Sequence, residues 1–330
     1  MLAASLALPA ARAAAPADAP ADARSSLEAQ RDFDARVATI GHRLAVASAD
    51  LCSTRQWRPG IILHDLVQYR RHEQAALRAY GRLDLGPGVL ALAAGGPAER
   101  AGIRRDDILV SVDGTAISPA EGRRFAAIEP ILDLVERQFE DGKARVEVMR
   151  GDERLAIEVP AERGCPTRFQ VISGDSADAR ADGVYVQVEA RISRHVRDDG
   201  ELAAVIAHEF AHNVLRHRER LNAQRVRRGL GANFGRSAVL FRESEEEADR
   251  LSVYLLHRAG YDPESAVRFW SRFGRSGLNW LTGPTHAGFR SRIAFFQEEI
   301  AATRSAEAAG VRPVPNFLPS DPPSLNEEPS

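Results

Sequence analysis

Of the 44 basic residues in this 330-residue chain, a single one, Lys143, is a lysine. That bias toward arginine is a compositional habit and points to no chemistry. The chain has two cysteines, two methionines and 6% aromatic residues. Neither cysteine sits in a C-x-x-C pair, which argues against a cysteine-ligated zinc site and against a disulfide-dense scaffold. Charge of one sign is also missing. With 44 basic and 46 acidic residues the formal net charge is -2, so no basic surplus marks a nucleic-acid binder. No apolar run approaches the ~20 residues of a membrane-spanning helix, so the chain does not read as integral to a membrane. What is present is ordinary for a globular protein: 44% hydrophobic and 27% charged residues. Its length suggests two domains at roughly 150 residues each.

The two ends differ from the middle. Met1–Ala10 is apolar and Ala11-Arg12-Ala13 follows a small-x-small pattern. This reads as the core and cleavage site of a secretory signal without its positive start, and 1–25 as a truncated signal or leader. A plain Ala/Pro-rich tail is the competing reading. Export to the periplasm or beyond is the expectation, and an even cysteine count in an exported chain suggests a Cys52–Cys165 disulfide. The last stretch, 306–330, is rich in proline and reads as a disordered tail.

Between the ends, the periodicity changes twice. Apolar residues Phe33, Val37, Ile40 and Leu44 recur at helical spacing, predicting a helix over 26–49. Short strand-like runs follow at 88–94, 107–112, 144–149 and 154–159, with turns at Asp113-Gly114 and Gly151-Asp152 and one helix at 129–140. After Cys165 come strand-like runs at 169–173 and 183–188. Long helices are then predicted over 200–221 with Asp199 as cap, over 243–258 closed by Gly260, from Asp262-Pro263 onward, and over 287–303. The class is α+β: a helix-dominated unit with a small β-rich unit inserted near its start. The expected division is 26–57, an insert at 58–164 with its core at 80–160, and 165–305.

His208-Glu209-Phe210-Ala211-His212 carries the chemistry. On a helix, residues i and i+4 share one face, so His208 and His212 can offer two imidazoles to one ion. Glu209 stands one residue aside, where a general base can take a proton from water at the metal. A helix-surface histidine pair is the bland alternative. Imidazoles plus a carboxylate and an open position suit Zn2+, one per chain. A third ligand is required, and the acidic run Glu243–Asp249 offers several; spacing alone does not choose Glu245 over Glu246. If Glu245 binds, Asp249 lies one turn on and can orient His208. The other acids of the run read as solvated helix face. His217 reads as surface or packing, off the ligand face. His195 and His257 read as loop or helix surface, and His42, His64 and His72 have no ligand spacing to one another.

His208–His212 followed by Glu245-Glu246-Glu247-Ala248-Asp249 resembles the HtpX-like zinc metallopeptidases. That family includes the CAAX prenyl endopeptidases and the BepA-type periplasmic proteases, and its pattern is H-E-x-x-H, then E-x-x-A-D. The resemblance implies a zincin-type fold with Glu245 as third ligand and Asp249 as the orienting residue. Thr285-His286-Ala287 and Arg292-Ile293 hold the spacing of a further family element, T-H-P then R-I, with alanine in place of proline. The resemblance implies that His286 and Arg292 steady the oxyanion. The family's Asn-Ala element has at best Ser176-Ala177 here, so no substrate contact is carried over. The likeness is weak over 26–52 and good over 165–303.

The stretch Gly95–Ile117, with Pro97-Ala98, Ala101-Gly102 and Val112-Asp113-Gly114, resembles bacterial PDZ domains over 88–159. PDZ domains take an extended peptide as an added strand. The resemblance places the peptide-binding loop just before Gly88, at Tyr80, Gly81, Arg82 and Leu83. A scaffold or gate without a ligand is the alternative. Together these readings predict a zinc metalloendopeptidase of unfolded or damaged envelope proteins, its PDZ unit docking substrate termini or gating the site. A weakly active chaperone or assembly factor and a PDZ adaptor with a structural zinc are the competing readings. No nucleic-acid partner is expected.

Overall fold

The computed structural model describes residues 21–122, 125–174, 177–226, 235–273 and 289–317. The chain enters through helix α1 (Ala21–Ala47). Phe33, Val37, Ile40 and Leu44, one helical face, are all buried in the larger hydrophobic core. Gly41 lies on α1 because nothing larger fits: a Cβ there would stand 2.3 Å from the Phe169 ring.

A short strand, β1 (Gln56–Arg58), leads into the inserted unit. Its elements are β2 (Ile61–His64), α2 (Arg71–Gly81), β3 (Gly88–Leu92), α3 (Pro97–Ala101), β4 (Ile108–Val112), β5 (Thr115–Ala116), α4 (Glu129–Gln138), β6 (Lys143–Arg150) and β7 (Glu153–Pro160). The strands pair in the order β2-β3-β4-β6-β7, with β5 on β4 and every pair antiparallel. The alternation read at 144–149 is the pleat itself: Ala144, Val146 and Val148 point inward from β6. With Val89, Leu109, Ile128 and Phe139 they form a second, separate core. The chain leaves through β8 (Glu162–Gly164), which pairs with β1. Next to that pair, a Cys52–Cys165 disulfide closes a loop of 113 residues. It staples the neck where the insert begins and ends, and it restricts the unfolded chain by up to about 4.7 kcal/mol.

A three-stranded sheet follows: β9 (Arg168–Ile172), β10 (Ala179–Ala181) and β11 (Tyr185–Glu189), in the order β10-β11-β9. Strand β10 went unread because Ala-Arg-Ala has no strand preference of its own; pairing with β11 makes it a strand. The helices are α5 (Asp199–Val214), α6 (His217–Ala223), α7 (Gly235–Arg258), α8 (Glu264–Phe273) and α9 (Phe289–Ala308).

The single helix predicted over 200–221 is two. Its cap is Asp198 rather than Asp199, and Asp198 Oδ1 accepts from the Glu201 amide at 2.8 Å. The break falls at Arg216, which takes left-handed backbone (φ 55°). Helix α7 begins at Gly235, well before the predicted Glu243. No described helix is long and apolar enough to cross a membrane.

Candidate metal centre

Helix α5 is buried along almost its whole length, and α7 and α8 pack across it. That packing decides which member of the acidic run meets the histidines. His208 Nε2 lies 3.3 Å from Glu245 Oε2, His212 Nε2 lies 3.6 Å from Glu245 Oε1, and the two Nε2 atoms are 3.4 Å apart. Ligands on a tetrahedral ion with bonds of 2.0–2.1 Å stand about 3.3 Å from one another. The two imidazole nitrogens stand at that spacing, and each has one oxygen of the Glu245 carboxylate close to the same distance. They form the one His/Cys/Asp/Glu group of metal-binding geometry found among the described residues.

Behind His208 stands a buried stack. Its Nδ1 is 2.9 Å from Asp249 Oδ1. Asp249 in turn accepts from Arg292 Nε at 2.8 Å and Nη2 at 2.5 Å. The Arg292 guanidinium lies 3.6 Å from the Trp270 ring centroid. Burial and the Arg292 charge push the His208 imidazole down, but the Asp249 and Glu245 carboxylates outweigh them and carry it up to about 9. A metal ion at Nε2 would displace that proton while Nδ1–H keeps its bond to Asp249. Arg292 thus acts through Asp249. It is 1% exposed behind the histidine, so the oxyanion contact inferred from the family resemblance is not where the structure puts it. His286 lies outside the described residues, as does Ser176.

Behind His212 is a second stack that the sequence reading missed. His217 Nδ1 lies 2.8 Å from His212 Nδ1, and His217 Nε2 lies 2.9 Å from Glu247 Oε2. Arg220 donates to the same carboxylate at 2.8 Å. For His212 to offer a lone pair at Nε2, its proton must sit on Nδ1 and be donated to His217. His217 then carries its own proton on Nε2 and donates it to Glu247. One tautomer assignment satisfies the whole chain. Residue i+5 on a continuous helix points away from residue i; His217 reaches inward only because the helix breaks at Arg216. Glu247, read as solvated, is held inward by the same contacts.

Glu209 is 7% exposed. Burial pushes its carboxyl up to about 8, with His208 opposing and Glu245 and Asp178 adding to the rise. A carboxylate of that basicity beside a metal ion is suited to accept a proton from attacking water.

A PDZ-domain family model matches residues 88–132, and a model of peptidase family M48 matches residues 147–230. Two stretches of the chain are thus similar to known families, one to PDZ domains and one to M48 peptidases. Over 127 residues it is 31% identical to the mitochondrial metalloendopeptidase OMA1 of Schizosaccharomyces pombe, covering 31% of this chain and 36% of that protein. It is 26% identical over 133 residues to the beta-barrel assembly-enhancing protease of Yersinia pestis, covering 32% of this chain and 27% of the relative. A Synechocystis protein named for a serine protease, HhoA, shares 42% identity over 71 residues, 22% of this chain and 16% of its own length. The chain thus spans between about a sixth and about a third of the length of these relatives.

In the PDZ unit the residues expected to hold peptide lie elsewhere. Tyr80 and Gly81 end α2, Arg82 takes left-handed backbone, and Leu83 is 1% exposed against β3. A Cβ on Gly88 would come within 2.7 Å of Leu83. The open cleft lies between edge strand β2 and helix α4, lined by Ile61, Ile62, Leu63, Leu132, Val135 and Phe139. The expectation sets the loop just before Gly88, which begins β3, whereas the edge of the sheet is β2. Ile61–His64 is too short to show a period, and β3 recruits it as the edge.

Proposed function

We propose that the chain is a zinc-dependent metalloendopeptidase whose PDZ unit docks extended peptide in the cleft between β2 and α4. The observation that carries this reading is the convergence of His208 Nε2, His212 Nε2 and the Glu245 carboxylate within ligating distance of one point, with the Glu209 carboxylate feeling the charges of His208 and Glu245. His208, His212 and Glu245 would hold the ion, which would supply Lewis acidity toward water and the scissile carbonyl. Asp249 and His217 fix the two imidazole tautomers so that both Nε2 lone pairs face one point. Arg292 and Arg220 hold those two orienting groups in turn. Glu209 takes the proton from the attacking water and returns it to the departing amine nitrogen. The free edge of β2 offers backbone pairing to an added strand, and the apolar wall of α4 receives its side chains.

The names of two relatives, a metalloendopeptidase and a beta-barrel assembly-enhancing protease, support a proteolytic role. We assign the substrate class to unfolded or damaged envelope proteins, and the location to the periplasm or another exported compartment. The Cys52–Cys165 disulfide fits an oxidising compartment.

The test is cleavage of casein and of an unfolded outer-membrane barrel protein by wild type, Glu209→Gln and chelator-treated protein. Cleavage in wild type alone, with a loss of about 10²–10⁴-fold in the variant, is the expected result. Equal cleavage by Glu209→Gln would end the peptidase reading. Barrel assembly promoted equally by both, without cleavage, would favour an assembly factor.

A further inference from the structure

His208 Nδ1 faces two groups with opposite needs. Asp249 Oδ1, an acceptor, lies 2.9 Å away, and Arg292 Nη2, a donor, lies 3.2 Å away. A neutral imidazole has one N–H and one lone pair to offer. With the proton on Nδ1 and given to Asp249, the Nε2 lone pair is open to an ion. With the proton on Nε2, Nδ1 accepts from Arg292 and Nε2 is closed to an ion. Asp249 and Arg292 are both buried, so solvent does not soften the contest. What decides it is the direction in which the Arg292 guanidinium points.

That direction is set from α8. The guanidinium carbon of Arg292 lies 3.6 Å from the Trp270 ring centroid, whereas the other described arginine–ring distances run from 4.4 to 5.9 Å. The same indole meets the His208 ring at 5.9 Å between centroids and 65° between planes. Trp270 is buried, and Phe269 and Phe273 pack on it edge-on at 5.1 and 6.2 Å. Its Nε1 has no hydrogen-bond partner among the described residues, and neither has Arg292 Nη1. The indole therefore works through its face and not as a donor. Arg292 is gripped on one edge by Asp249 and covered by the ring, an arrangement that suits a planar guanidinium and strengthens away from water.

We propose that Trp270 is a positioning residue of the metal centre: by holding the Arg292 guanidinium flat against its face, it keeps both Nε and Nη2 on Asp249 and so selects the His208 tautomer that can bind an ion. The inference rests on the reading of His208 as a metal ligand. Without the indole face, the guanidinium can turn about its side-chain bonds. Nη2, already within reach of Nδ1, then donates to it, and the imidazole proton moves from Nδ1 to Nε2. An ion must displace that proton before it binds, and zinc affinity falls. Trp270 exerts this effect through Arg292, with no need to touch the ion or the substrate.

The test reads zinc affinity of the full chain by competition with a chromophoric chelator, so it needs no peptidase activity. Trp270→Leu should weaken binding about 10–100-fold in the native sequence. In protein already carrying Arg292→Leu the same change should cost less than about threefold, because its route of action is gone. An equal cost in both backgrounds would reduce Trp270 to packing and overturn the proposal. A second measurement leaves the shape of the core intact. Mono-, di- and trifluorinated tryptophans, incorporated biosynthetically, drain electron density from the ring face while filling nearly the same space. Zinc affinity should fall stepwise with each fluorine. The same series in Trp270→Phe protein, which labels Trp57 and Trp280 alone, should be flat. A flat series in the native sequence, or an equally steep one in Trp270→Phe, would overturn the proposal while leaving the zinc site intact. Absence of zinc binding in wild type would overturn the metal reading itself and this inference with it.

Discussion

The metal end of α5 is buried and the cleft between β2 and α4 is open, and the two differ in how their polar groups are partnered. At the metal end each guanidinium holds a carboxylate: Arg292 with Asp249, Arg220 with Glu247. Those pairs stand behind the two imidazoles, whose Nε2 atoms meet the Glu245 carboxylate in front. In the cleft, Arg58 Nε, Gln170 Nε2 and His42 Nδ1 have no hydrogen-bond partner among the described residues. The first arrangement brings three ligating groups together and holds two of them from behind. Side chains held by partners behind them suit chemistry at a fixed point.

Four measurements would break or sharpen this contrast. The largest effect belongs to Glu245→Ala. Elemental analysis should fall from about one zinc ion per chain to near zero, while the fold persists. Full retention would move the third ligand to another acid of α7. Next is the neck that keeps the cleft's two walls together. Replacing Cys52 and Cys165 by serine should lower unfolding stability by up to about 4.7 kcal/mol in denaturant titrations. An unchanged midpoint would mean that β1–β8 pairing alone holds the insert.

The third concerns Asp34, 5% exposed on α1, with Arg31 and Arg105 among the charges acting on it. Burial raises its carboxyl from 3.8 to about 7, against the pull of the two arginines. A folded value above the unfolded one means full stability below pH 4, lost as pH climbs through about 7. Asp34→Asn should therefore match wild type near pH 4 and exceed it at pH 8, by at most about 4 kcal/mol. A difference independent of pH would refute the assignment. The smallest effect is His217→Phe, which keeps the volume of the ring and removes its bond to His212. Zinc affinity, measured by competition with a chromophoric chelator, should weaken about 10–100-fold. An unchanged affinity would reduce His217 to packing.

Much of the site was legible in the chain because it is local. Two histidines four apart on an apolar-faced helix share a face whatever surrounds them, and Glu209 follows from its offset. The strands of the insert showed in the same way, through period two at 144–149 and the Asp113-Gly114 turn. The third ligand was not legible by spacing, since Glu245 and Glu246 differ only in which way α7 is rotated about its axis. Family resemblance named Glu245, and the packing of α7 on α5 turns that side chain toward the histidines. The edge strand at Ile61–His64 escaped because four residues carry no usable period.

Composition, helical spacing and the H-E-x-x-H pattern determined, without coordinates, that this is a two-part α+β chain with a paired-imidazole helix. These are properties of neighbours a few residues apart, set by backbone geometry alone. Tertiary structure alone decided the break at Arg216 that turns His217 inward, the retreat of Arg292 behind Asp249, and the meeting of His42, Arg58 and Gln170 around one cleft. Each depends on partners 30 to more than 100 residues distant, and their hydrogen bonds and ion pairs override the local preference of the backbone.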